Sequence, residues 1–276
     1  MPSPRTISCL LNVHGAQIYC ETAGKGKPFV MIHAGVADSR QWNNEFSSFA
    51  ERFKVVRYDL RGYGQSDPVE GEFSHLGDLL AVLDGLDIRE PAVVMGCSMG
   101  GGLALDLALE HPPRVKALIL VGSGPSGLDL DVEESPKFAE AVKAWEAGDL
   151  NLTAELETQI WFDGAGRTPE QVDPVMRKLA YDMDRLALSH DAKKLGKRLP
   201  NSERPAYDRL GEVKVPVLII VGENDTPYHH AAADYMLKHL PEAKKMVIQD
   251  AAHLPNMDHP GQFGEIVNTF LEGLRR

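Results

Sequence analysis

Short apolar runs alternate with amphipathic stretches along most of this chain, and that alternation restricts its fold more than any other feature. Residues 29–32, 54–58, 92–95 and 117–121 read as strands, with helices near 42–52, 73–86 and 99–110 between them. The run 29–32 is continuously apolar, as a strand covered on both faces is. His111-Pro112-Pro113 ends the third helix, because the residue before a proline is pushed out of helical geometry. Strands separated by helices form a parallel sheet, since each parallel crossover needs a long connection.

Two segments depart from this rhythm. Residues 7–13 and 17–22 flank His14-Gly15 and read as an antiparallel hairpin, with Cys9 and Cys20 symmetric about the turn. At Gly122 the alternation stops in the breaker cluster Ser123-Gly124-Pro125-Ser126-Gly127. From 133 to 209 no strand is readable and helical periodicity dominates. Phe138, Val142 and Trp145 share one face, and Leu152, Leu156 and Ile160 share another. Residues 161–169 read as a loop between two of these helices. Alternation resumes with a strand at 215–221, a helix at 231–240, a strand at 245–249 and a last helix at 262–274.

The expected class is therefore α/β: a mostly parallel sheet of about eight strands, helices on both faces, and a helical insertion. Residues 1–123 and 210–276 would form the core domain and 124–209 a helical cap. Sites in open α/β sheets lie at the carboxyl ends of the strands, so a cap there would cover the site.

Charge and composition narrow the partners. The net charge of -11 excludes nonspecific nucleic-acid binding, which needs a positive field. No apolar run approaches the roughly 20 residues of a membrane helix. A small-molecule substrate is the expected partner, with no nucleic acid and no membrane, for a monomer or homodimer. Residues 1–6 carry no basic stretch followed by an apolar run, which reads as a cytoplasmic chain without a secretory signal. The three cysteines are then free thiols, and the sequon Asn151-Leu152-Thr153 is a chance match.

Gly96-Cys97-Ser98-Met99-Gly100 follows a strand and opens a helix. In that context G-x-S-x-G is a nucleophile elbow: the serine sits on a strained turn, and its neighbours must be small for the backbone to pass. Ser98 is the candidate nucleophile. A serine hydroxyl needs a base, and His253, just past the strand at 245–249, is placed at a carboxyl end of the sheet. The base needs a carboxylate to fix its tautomer, and Asp225 follows the strand at 215–221, with Glu223 as the local competitor. The order Ser98, Asp225, His253 suits this fold. Met99 supplies one oxyanion N–H. The second comes from the loop His33-Ala34-Gly35-Val36, with Gly35 the first choice and Val36 the second. His75, His229, His230, His239 and His259 show no metal-ligand spacing, so no metal and no cofactor are expected.

Four motifs in order carry a resemblance: His33-Ala34-Gly35, the loop from Asp59 to Ser66 (DLRGYGQS), Gly96–Gly101, and Gly222–Asp225 with His253. The chain resembles the α/β-hydrolase fold superfamily, and in style its small capped esterases and enol-lactonases. Ala34 stands where the pattern usually has glycine. The resemblance implies that the Asp59–Ser66 loop is structural, with Arg61 bracing a turn. Dehalogenases of this fold have aspartate where Ser98 stands. C–C bond hydrolases have a longer glycine-rich run than Val36-Ala37-Asp38.

The expected activity is cleavage of a carboxylic ester or lactone through an acyl-enzyme. The alternatives are a C–C bond hydrolase, a cofactor-free perhydrolase, or a non-catalytic small-ligand receptor. Val36, Trp42, Trp145, Trp161, Phe162 and Met183 are the candidate pocket residues. Lys193, Lys194, Lys197 and Arg198 read as a solvated basic face rather than a carboxylate site, and Cys97 as small-residue packing behind the elbow.

Overall fold

The chain enters through the hairpin: β1 (Ile7–Val13) and β2 (Ala16–Ala23) pair antiparallel. His14 and Gly15 between them have φ of 49° and 86°, the two left-handed residues a tight hairpin turn requires. Cys9 and Cys20 are cross-strand partners and free thiols. The computed structural model describes residues 4–133 and 135–274, so residues 1–3 of the leader reading lie outside the described residues. No described helix is long and apolar enough to cross a membrane.

The remaining strands of the main sheet are β3 (Pro28–Ile32), β4 (Lys54–Tyr58), β6 (Ala92–Cys97), β7 (Val115–Val121), β9 (Val217–Gly222) and β10 (Ala243–Ile248). The order is β1-β2-β4-β3-β6-β7-β9-β10; β2 meets β4 antiparallel and every later pair is parallel. The chain moves from β3 outward to β4 and then returns past β3 to β6. That reversal puts the topological switch between β3 and β6, where ligands bind in such sheets.

Helices α1 (Asn43–Phe49), α2 (His75–Gly85), α3 (Met99–Glu110), α7 (Pro227–His239), α8 (Pro255–Asp258) and α9 (Pro260–Gly273) belong to the sheet. Alternate residues of the central strands enter opposite cores. Val94, Leu118 and Ile219 pack with Leu79 of α2, Leu103 of α3 and Met236 of α7, while Met95, Ile119 and Ile220 pack with Phe49 of α1 and Phe263 of α9. Both faces are buried, which is why residues 29–32 read as an unbroken apolar run.

Between β7 and β9 lie α4 (Pro136–Glu146), α5 (Leu150–Thr158) and α6 (Pro174–Asp191). Ser135, Asp149 and Asp173 cap their N-termini by accepting backbone N–H bonds. The face expected from Phe138, Val142 and Trp145 is not the buried one. Val142 and Leu152 are exposed, and Ala141 and Ala144 pack on Leu156 instead, small residues that let α4 approach α5 closely.

Several boundaries differ from expectation, among them α7, which starts at Pro227 rather than 231. The stretch 133–209 contains a strand, β8 (Lys197–Arg198), paired in parallel with β5 (Glu72–Phe73). Phe73 is therefore in a strand, and α2 starts at His75 after Ser74, whose hydroxyl accepts from Gly77 N. Trp42 ends a 3₁₀ turn, Ser39–Trp42, with α1 beginning after it. A strand of two residues carries too little periodicity to read in a sequence.

Candidate active site

Ser98 joins β6 to α3 at φ 53° and ψ -116°, a backbone state that costs a non-glycine residue about 1–3 kcal/mol. The glycines around it permit the turn. A Cβ on Gly96 would lie 2.2 Å from Gly100 O, and one on Gly100 would lie 2.4 Å from Ile32 O. Ser98 N donates to Val121 O, which ties the elbow to β7. The serine lines a cavity of about 670 Å³ with Met99, Tyr228 and His229.

Asp225 and His253 come from loops after β9 and β10. His253 Nδ1 lies 2.9 Å from Asp225 Oδ2 and 3.0 Å from Oδ1. With that proton donated to the carboxylate, Nε2 keeps the lone pair a general base needs. Cys97, next to the nucleophile, has its Sγ 3.6 Å from His253 O, so the two loops are in contact below the elbow. No hydrogen bond joins Ser98 Oγ to the His253 ring among the described residues; such contacts tighten when substrate binds. Burial pushes the Asp225 carboxyl up, but the charge of His253 and hydrogen bonds from His229 and His253 outweigh it and hold the group well below the usual range. Gly122, at the end of β7, backs this pair: a Cβ there would lie 2.9 Å from His253 Nδ1 and 3.1 Å from Asp225 Oδ2.

A second histidine shares the carboxylate, which corrects the reading that His229 shows no ligand spacing to an acidic residue. His229 Nδ1 lies 3.3 Å from Asp225 Oδ1 and 2.8 Å from Thr226 Oγ1, and its ring centroid lies 4.3 Å from that of His253. The overlooked signal was the spacing of four, Asp225 to His229, across the start of α7. Burial, then the charge of His253, lowers the His229 pKa. Asp225, His229 and His253 are also a described trio whose ligand atoms lie within 4.8 Å of one another.

The loop after β3 is held by His33, whose Nδ1 lies 2.7 Å from Ala34 O while Nε2 accepts from Leu60 N. Ala34 N donates to Gln41 Oε1, and Ala37 N to Ala34 O. Those bonds leave the amides of Gly35 and Val36 as the loop's available donors. A Cβ on Gly35 would be 3.8 Å from the Met99 side chain, so the structure brings these two expected residues together. Asp59 Oδ1 and Oδ2 accept from Ser39 N and Gln65 N, which makes its loop structural. Arg61 pairs with Asp78 of α2 at 2.8 Å, buried, and donates to Val13 O beside the hairpin turn.

The pocket candidates separate. Trp161 packs on His253: its ring centroid is 4.7 Å from that of His253, and its carbonyl accepts His253 N. It lies in a π-helical turn, Gln159–Asp163, rather than in a loop. Val36, Trp161 and Phe162 line a void of only about 10 Å³. Trp42 is not a pocket residue; it is fully buried against Phe263. Met183 is likewise core, and Trp145 is half-buried on α4, away from the described cavities. Arg198 is exposed, as expected of the basic face, and it also lines cavities beside both Ser98 and Gly35. Cys97 is buried, and burial pushes its thiol up to about 12.

Arg167, just beyond Trp161, fastens the helical segment to the His253 loop. It donates to Phe162 O, Asp163 O and Asp250 O and pairs with Asp258 at 2.7 Å. Asp258 in turn accepts Ala252 N, adjacent to His253.

The profile of the alpha/beta hydrolase fold matches residues 27–260. A pimeloyl-[acyl-carrier protein] methyl ester esterase of Aeromonas hydrophila is 29% identical over 253 residues, covering 91% of this chain and 98% of that protein. A 3-oxoadipate enol-lactonase of Acinetobacter baylyi is 28% identical over 253 residues, covering 86% of each. Among solved structures, that of Est816, described as an N-acyl homoserine lactone degrading enzyme, superposes with a TM-score of 0.74 at 26% identity, covering 95% of this chain and 99% of that one. With its motifs in order on a mostly parallel sheet of eight strands, the chain belongs to the α/β-hydrolase fold family.

Proposed function

We propose that this protein is a serine hydrolase that cleaves a carboxylic ester or a lactone through an acyl-enzyme. The observation that carries the reading is the His253–Asp225 pair at 2.9 Å, with the His253 ring 4.3 Å from that of His229, which lines one cavity with a serine held at φ 53°. His253 Nε2 takes the proton of Ser98 as Oγ attacks the carbonyl carbon. The amides of Met99 and Gly35 hold the resulting oxyanion, helped by the α3 N-terminus. His253 returns the proton to the leaving alkoxide, and Asp225 stabilises the imidazolium meanwhile. Water then attacks the acyl-enzyme by the same route. No step calls for a metal or cofactor. The names of the relatives, an ester esterase and an enol-lactonase, support the same substrate classes. The helices α4–α6 act as a cap that shapes the acyl and alcohol sites.

The test is hydrolysis of a chain-length series of p-nitrophenyl esters and simple lactones by wild type and Ser98→Ala. Turnover by wild type that disappears in the variant is expected, and its chain-length optimum sizes the pocket. Turnover that survives in Ser98→Ala refutes the nucleophile. Absence of turnover on every ester and lactone refutes the ester reading.

A further inference from the structure

Two cavities flank the elbow: about 670 Å³ beside Ser98 and Met99, and about 420 Å³ beside Gly35. Among the described residues His75 and Arg198 line both. Arg198 lies on β8, where pairing with Phe73 of β5 fixes its backbone. Its Nη1 is 3.1 Å from Met99 Sδ, so the guanidinium stands over the residue whose amide holds the oxyanion.

This cation is not neutralised from within the protein. Arg61 is paired with Asp78 and Lys197 with Glu72, whereas Arg198 has no carboxylate within ion-pair distance among the described residues. The acids around it have other ties. Asp106 accepts from Asn201 and Ser126. Glu157 and Asp184 lie side by side on the Gly35 cavity, and burial raises both pKa values, with the charge of Glu157 adding to the rise of Asp184. The pair therefore tends to keep a proton. Asp191 and Glu203 complete the acidic lining. His75 beside Arg198 is buried with an unpartnered Nδ1, and burial followed by the charge of Arg198 lowers its pKa to about 3.

An unpaired guanidinium on a substrate cavity is a receptor for a planar anion, since its fork matches two carboxylate oxygens. We propose that Arg198 selects esters or lactones whose acid part carries a second, ionised carboxylate a few bonds from the scissile carbonyl. The spacing follows from Met99, whose amide faces the reacting carbonyl while its side-chain sulfur touches Arg198. The two substrate groups are thus about a methionine side chain apart. This inference rests on the ester-hydrolase reading.

The test compares kcat/KM for the monomethyl and dimethyl esters of succinic, glutaric and adipic acids at neutral pH. Wild type is expected to favour at least one monomethyl ester over its dimethyl counterpart by about 10- to 100-fold, the worth of a charge-assisted contact. Arg198→Gln brings that ratio close to unity, and Arg198→Lys keeps part of it. Lys193→Gln removes the same charge from a neighbouring exposed turn and leaves the ratio intact. A wild-type preference for the dimethyl ester at every length, or a ratio unchanged in Arg198→Gln, overturns the assignment. Failure of wild type to hydrolyse any of these esters, together with inactivity on p-nitrophenyl esters, removes the hydrolase reading beneath it.

Discussion

Gly122→Ala adds one carbon atom behind the His253–Asp225 pair, and its effect can be worked from the geometry. Gly122 has φ of 49°, and the added Cβ would lie 2.9 Å from His253 Nδ1 and 3.1 Å from Asp225 Oδ2. Two costs result. Holding a residue with a Cβ in the left-handed region costs about 1–2 kcal/mol of stability. Comfortable non-bonded contact is about 3.5–4.0 Å, so the imidazole or the carboxylate must also give by roughly half an ångström or more. Both are buried and have little room, so the shift falls on the Nδ1–carboxylate geometry that orients Nε2. Misplacements on the order of 1 Å cost about 10²-fold in rate. The expected outcome is a kcat lower by that order, with KM little changed, in steady-state kinetics on the best p-nitrophenyl ester. Gly15→Ala is the matched control, because Gly15 has φ of 86° and an added Cβ meets nothing within 4 Å. It should show a comparable loss in urea unfolding and no loss of kcat. Wild-type kcat in Gly122→Ala, or an equal catalytic loss in Gly15→Ala, would refute the reasoning.

Asp225→Asn should lower kcat by about 10⁴-fold while the fold persists, because the wrong imidazole tautomer is then held; a loss under tenfold would point to Glu223 or another carboxylate. Asp78→Asn leaves the buried Arg61 charge unpaired and should cost about 3–5 kcal/mol, read as a lower urea midpoint. An unchanged midpoint would mean that water reaches the guanidinium. Glu45 is buried beside Asn256, and burial pushes its pKa from 4.5 up to about 7. A carboxyl raised in the fold adds stability that is full below its unfolded pKa and is lost as pH rises through the folded value. Glu45→Gln should therefore gain on wild type between pH 5 and 8, by up to about 3 kcal/mol. A stability difference that stays flat with pH would sink that assignment.

Much of the site was readable because its chemistry is local in sequence. The elbow's glycines answer to contacts made by their immediate neighbours, so Gly96 to Gly100 carries its own steric logic. Ser98, Asp225 and His253 each follow an apolar strand, and the sheet gathers the strand ends. What escaped reading depends on pairings distant in sequence. Arg198 reaches the cavities because β8 pairs with β5, and a two-residue strand leaves no periodic trace. Trp42 follows the expected oxyanion loop by six residues, yet a 3₁₀ turn carries it into the core against Phe263. His229 was hidden differently: its spacing to Asp225 was visible, but four residues matter only once a helix is known to begin at Pro227. Val142 and Leu152 fit an apolar face, and alanines on the adjoining face won because they let two helices come closer.

The helical segment is pinned close to the His253 loop. One guanidinium, that of Arg167, reaches Phe162 O, Asp163 O, Asp250 O and Asp258, and Asp258 accepts the amide of Ala252 beside His253. The Trp161 carbonyl accepts His253 N. The imidazole is thus held through its own backbone by the segment above it, so a change at Arg167 is felt at the histidine without touching its ring.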